Sequence, residues 1–244
     1  MRRLLTNVFV GVFMLPIICN AQKYRDSHVF EEVLDYAIQQ TDFDKLLVNG
    51  PSYENKYFRA IGHPFFLENE YVNGEVVYAG LRFSEKPIKF SSFEQQLVMK
   101  IETESFSREL VLPMEHVTEF KINDYHFRKY DLFGTGPAYY QVVTEKERIT
   151  CLYLWTKSRE ISDHLEGYLS YKFGKDKAKK YLLMDGVVES FKNNRSYVKL
   201  FPEYAQPAIS GYLKERKMKL QKMSDKSMKE LVQFCDDTLE TVNR

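Results

Sequence analysis

Cysteine is scarce, with three in 244 residues, and one of them, Cys19, falls inside the opening apolar run. A disulfide scaffold is thereby excluded, and no Cys-x-x-Cys exists to hold zinc. Histidine is as sparse. His28, His63, His116, His126 and His164 form no His-x-His pair and no His-Glu-x-x-His, so a metal centre would have to gather residues distant in sequence, as His116 and His126 with Asp124 could. No Gly-x-Ser-x-Gly is present, and Ser210 sits in a charged helical stretch where no strand precedes it. Gly134-Thr-Gly136 is read as a turn, because Pro137 removes an N–H donor and no helix follows to receive a phosphate. Glu102 and Glu104 share a strand face and read as solvated carboxylates. These absences leave no catalytic, cofactor-binding or metal-ligating residue to name, and no cofactor is expected. Charge of one sign is also missing. The formal charge is +1, and −1 once Arg2 and Arg3 are removed, which gives no general pull toward nucleic acid or anionic lipid. No nucleic-acid partner is expected.

Long hydrophobic runs are absent too. Val8 to Cys19 is an uncharged apolar run of twelve residues behind Arg2-Arg3, whereas a membrane span needs about 20. The pattern is that of an export signal ending at Cys19-Asn20-Ala21, with cleavage expected between Ala21 and Gln22. The rival, acylation of Cys19, is disfavoured by Ile18 in the place that wants a small residue. The mature chain is then expected in the periplasm, at the outer membrane or outside the cell, with no transmembrane span. Cys151 lies in an aromatic strand-like run and Cys235 in a helix-like one; two separate buried thiols is the simpler account, and a bridge between them the alternative.

What the chain has in quantity is aromatic surface: 17 Tyr and 18 Phe, within 44% apolar residues, which is enough for a substantial core. Val29, Phe30, Val33, Leu34, Ala37 and Ile38 trace one amphipathic helix. Past Asn49-Gly50-Pro51 the period changes to short aromatic and β-branched runs. Strands are predicted over 57–61, 75–81, 88–90, 96–102, 108–112, 117–122, 126–129, 139–144, 149–156, 180–184 and 186–191, with hairpin joints at Asn73-Gly74, Asn123-Asp124 and Asp185-Gly186. A short helix over 196–201, a helix starting near Gln206 and a last one over 227–242 follow, the last capped by Ser224 and carrying Met228, Leu231, Val232, Cys235 and Leu239 on one stripe. The expected class is α+β: an antiparallel β-meander, as a curled sheet or two packed sheets, with a short N-terminal helix and a C-terminal helical tail. Its divisions are a signal over 1–21, a helical segment over 22–50, the β body over 51–192 and helices over 193–244 packed on the sheet as one compact unit.

Several short stretches carry a resemblance: Gly62-His-Pro-Phe-Phe66, Asn73 to Gly80, Val117 to Phe120, Tyr181 to Gly186, Leu200-Phe201-Pro202 and Tyr212 to Lys217. In this order they resemble a broad uncharacterised family of exported β-rich proteins of Bacteroidota, from about Gly62 onward. The resemblance implies export and a β-rich body with a helical tail, and carries no catalytic residues. Two functions of different kinds remain. One is a non-catalytic envelope module, binding or structural, for a protein partner or an apolar small ligand; the other is an exported hydrolase assembled from scattered residues. The first is favoured, so no enzymatic activity is expected. The basic segments over 172–180 and 214–222 read as solvated charge, with a polyanion site as the sharper alternative. His63, in the rigid Gly62-His63-Pro64 turn leading to Phe65 and Phe66, marks the candidate cleft.

Overall fold

Alternation of apolar and polar residues over short runs, closed by tight turns, drives the chain into antiparallel ladders, and the computed structural model has ten strands in one sheet. It describes residues 50–102, 107–165 and 168–240, with Leu47. The export signal, the Ala21–Gln22 junction and the helix over 29–38 lie outside them. The strands are β1 (Val72–Tyr78), β2 (Leu81–Ser91), β3 (Gln96–Glu102), β4 (Ser107–Leu112), β5 (Val117–Ile122), β6 (Tyr125–Tyr130), β7 (Ala138–Glu145), β8 (Ile149–Thr156), β9 (Arg159–Leu165), β10 (Tyr168–Phe173), β11 (Lys177–Met184) and β12 (Val187–Phe191). The sheet order is β12-β11-β8-β7-β6-β5-β1-β2-β3-β4, and every ladder is antiparallel. Two meanders therefore meet where β5 returns to lie beside β1. The hairpin of β9 and β10 stands apart from this sheet, between β8 and β11 in the chain. The α+β class and the meander expected from the sequence are both present.

Local details depart from the sequence reading. Asn73-Gly74 is not a turn but the middle of β1; a Cβ at Gly74 would strike the Lys121 carbonyl and the Ile88 side chain, so glycine there serves close strand approach at a bulge. The turn is Ala79-Gly80 instead, which moves Leu81 into β2 and extends that strand over 81–91. The run 57–61 forms turns, and only Ile61 makes a bridge, to Lys172. β9 and β10 were not anticipated: Asp163 interrupts the alternation of β9, and β10 is only six residues long; the basic stretch over 172–180, read as solvated charge, closes β10 and opens β11.

One face of the sheet holds the core. Phe90, Phe120, Phe127 and Tyr139 interlock on it, with Phe120 and Phe127 facing each other across the β5–β6 ladder at 4.9 Å between ring centres. Farther along, Val143, Ile149, Cys151, Tyr153, Leu182 and Phe191 receive the helical tail. That tail consists of α1 (Asn194–Val198), α2 (Gln206–Glu215), a 3₁₀ turn (Leu220–Lys222) and α3 (Asp225–Glu240). Ser224 caps α3 through the Ser227 amide, and Met228, Leu231, Val232, Cys235 and Leu239 are all buried, as the spacing requires. On the opposite face Tyr140, Leu152 and Tyr181 form a smaller cluster.

Candidate functional site

Gly62, at φ +80°, takes the backbone where a side chain is strained, and swings the chain into His63-Pro64. The segment then runs along the end of β2. Phe65 bridges Ser91, the Phe66 amide donates to the Phe90 carbonyl at 2.8 Å, and Ser91 Oγ donates to the Pro64 carbonyl. This places His63 at the mouth of a cavity of about 430 Å³, whose walls include Leu67, Glu68, Trp155, Lys157, Phe173 and Asp176. The sequence-based cleft residues therefore divide. His63 lines the cavity, whereas Phe65 and Phe66 are buried beneath it, Phe66 packing on Phe90, Phe127 and Trp155. Phe65 and Phe66 are core: the Phe66 ring completes the aromatic face of the sheet, and the Phe65 ring packs on Tyr53 and under the Lys89 ammonium.

At the centre is an ammonium that sequence reasoning missed. Lys157, in the β8–β9 joint, is only 5% exposed at its side chain. Its Nζ donates to the carbonyls of Phe65 and His63, lies 3.4 Å from His63 Nδ1, and is 3.4 Å from Asp176 Oδ2. Asp176, in the β10–β11 joint, also accepts from Ser92 Oγ at 2.7 Å and from the Leu67 amide at 3.0 Å. A buried ion pair survives only with its remaining hydrogen-bonding capacity filled, which this one has. The pair locks the 62–68 segment to two joints far away in sequence. The missing signal was spacing: Lys157 and Asp176 are separated by the unanticipated β9–β10 hairpin.

The chemistry of His63 follows. Burial, then the Lys157 charge, hold its pKa below the ordinary imidazole value. The ring is tied to the same network: its Nδ1 lies beside the Lys157 ammonium, and the ring also hydrogen-bonds the Phe65 backbone.

The other reactive groups are placed elsewhere. Cys151 and Cys235 are separate, buried free thiols; burial pushes Cys235 up to about 12 and Cys151 higher. His126 Nε2 is 3.1 Å from Glu119 Oε2, and His116 packs on the Tyr78 ring. Among the described residues no three His, Cys, Asp or Glu side chains gather as metal ligands. Gln141, 2% exposed, accepts from the Trp155 indole at 2.7 Å and donates to Asp225, tying the cavity wall to the start of α3.

Fold and cleft together define an antiparallel meander capped by C-terminal helices, with a lysine-centred polar cleft at the end of β2 and β8. No protein-family model, curated protein or solved structure matches this chain. No helix among the described residues is long and apolar enough to cross a membrane.

Proposed function

We propose that this chain is a non-catalytic binding module that works outside the cytoplasm, and that its ligand is a protein partner. The observation that carries the reading is that the cleft uses its reactive groups to hold itself together. Lys157 and Asp176 spend their capacity on one another and on the 62–68 segment, and His63 is held in the same network beside Lys157. An apolar small ligand is less favoured, since Phe66 and the helical tail fill the aromatic face that would have received it. A protein partner is favoured by apolar side chains left open: Ile61, next to Gly62 of the cleft wall, is 57% exposed, and Phe58 and Ile161 are 71% and 70% exposed. Ile61 is joined directly to the cleft wall, its carbonyl accepting from the Phe173 amide at 2.9 Å.

The test is complementation of a deletion strain. His63→Gln removes the imidazole but keeps a polar side chain and should complement at normal abundance, and Ile61→Glu should not. A stable, abundant His63→Gln protein that fails, beside an Ile61→Glu protein that works, overturns the reading and makes His63 a candidate base.

A further inference from the structure

We infer that the helical tail carries a second site, independent of the cleft, that binds a phosphate-bearing anion. A cavity of about 630 Å³ opens between α1, α2 and the chain that follows α2. Five cations line it: Arg195 and Lys199 from α1 and its end, Lys214 from α2, and Lys217 and Lys219 beyond. No carboxylate lines it, and no ion pair within 4.0 Å joins any of the five to a carboxylate among the described residues. Like charges brought together without counter-charges repel, so an anion seated among them is favoured electrostatically. The chain as a whole is nearly neutral, which makes the concentration local and not a property of composition.

The wall is fixed before any ligand arrives. Asn194 Oδ1 accepts from the Leu220 amide at 3.0 Å and its Nδ2 donates to the Met218 carbonyl at 2.7 Å, joining the start of α1 to the chain after α2. Lys180 Nζ reaches up from β11 to the Leu220 carbonyl at 2.9 Å. Leu213, from the buried core, with Val198 and Met218, supplies an apolar floor. The backbone that carries the cations therefore needs no rearrangement on binding, and only their side chains are ordered.

Lys217 breaks a local rule in a way that fits. It follows the C-cap residue Arg216 of α2 with φ +52°, in the left-handed region. That position favours glycine. The chain places a lysine there at a conformational cost, and the gain is a cation in the cavity wall.

The probes are inorganic pyrophosphate, by calorimetry at low salt, and vesicles of phosphatidylglycerol against vesicles of phosphatidylcholine. The full chain should bind pyrophosphate, and binding should weaken as salt rises. Lys217→Gly should weaken it about tenfold, the effect of losing one charge-assisted hydrogen bond, while the melting temperature holds or rises. Lys214→Glu should weaken it further, and Lys56→Glu, outside the cavity, should leave it unchanged. Pyrophosphate binding with no preference among vesicles identifies a soluble phosphate as the source; selective binding to phosphatidylglycerol, lost in Lys217→Gly, identifies a lipid headgroup. If neither probe binds, or Lys56→Glu matches Lys214→Glu in effect, the site does not exist as described. If Lys217→Gly lowers the melting temperature and leaves affinity intact, the cations serve only the carbonyls at the end of α2.

Discussion

Replacing Lys157 by Met keeps most of the side-chain volume and removes the charge at the centre of the cleft. The Asp176 carboxylate, 11% exposed, then retains only Ser92 Oγ and the Leu67 amide, and the carbonyls of His63 and Phe65 lose their donor. Breaking one side of a buried, hydrogen-bonded pair costs about 3–5 kcal/mol, because the abandoned charge stays buried. For a chain of this size that lowers the melting temperature by on the order of 10 °C. The assay is built in: Trp155 is the chain's one tryptophan and packs on Phe66 at 5.1 Å inside the cleft wall. Urea unfolding followed by Trp155 fluorescence reads the cleft, and far-UV circular dichroism reads the sheet. Lys157→Met should shift the fluorescence midpoint by at least as much as the dichroism midpoint, since the 62–68 segment is the first thing released. Adding Asp176→Asn should recover about 1–3 kcal/mol of the loss, as coupled residues do in a double-mutant cycle. A Lys157→Met protein with both midpoints within about 0.5 kcal/mol of wild type, or strictly additive single and double variants, would falsify the picture of an ion pair clamping the cleft.

Other consequences are measurable in the same way. Leu231, fully buried on the α3 stripe, should cost about 2–5 kcal/mol on replacement by Ala in denaturant unfolding; a loss under about 0.5 kcal/mol would mean that α3 contributes nothing by docking. Tyr139 buries a hydroxyl among aromatic rings with no hydrogen-bond partner among the described residues, so Tyr139→Phe should stabilise by about 1 kcal/mol, and a destabilised variant would reveal a partner for that hydroxyl. His63 binds its proton less readily when folded than unfolded; its contribution is intact above the unfolded value of 6.5 and is lost as pH falls through 6.5 toward the lower folded value. Unfolding free energy measured from about pH 7.5 to 5 should therefore fall less steeply in His63→Gln than in wild type, and equal slopes would disconnect His63 from Lys157. N-terminal sequencing of the protein isolated from its native cells should begin at Gln22, and a retained Met1 would remove the case for export.

The strands that read clearly from sequence are alternating ones and continuous apolar runs. In β5, Val117, Phe120 and Ile122 are buried beside exposed Thr118 and Lys121, while β3, β7 and β8, buried on both faces over part of their length, are found where their apolar runs put them. α3 was equally legible, because a capping serine and a stripe at 3 and 4 spacing are both local facts. The failures have a common cause. Gly74 looks like half of an Asn-Gly turn, and only its neighbours across the sheet, Lys121 and Ile88, show that its missing side chain serves strand contact. β9 has Asp163 where alternation with Ile161 and Leu165 expects an apolar residue, and it pairs with β10 and not within the main sheet. Tertiary position overrode local pattern in each case.

The site divides along the same line. His63 was legible because Gly-His-Pro constrains the backbone over three residues, and a constrained turn next to aromatics is a sound place to expect an open cleft. Phe65 and Phe66 went inward because the same turn, once Phe65 bridges Ser91, aims their rings at the sheet. Lys157 and Asp176 could not be read, for neither has a neighbour in sequence that explains it; each sits in a joint flanking the hairpin that was itself unread. The arrangement nevertheless has a clear logic. A hairpin inserted between two neighbouring strands, β8 and β11, leaves two joints side by side, and opposite charges placed one in each joint hold the insertion closed while clamping a third segment over both. On that account the role of the ion pair is to fix where His63 and Ile61 stand, and those two side chains, not the charges beneath them, are what a partner would meet.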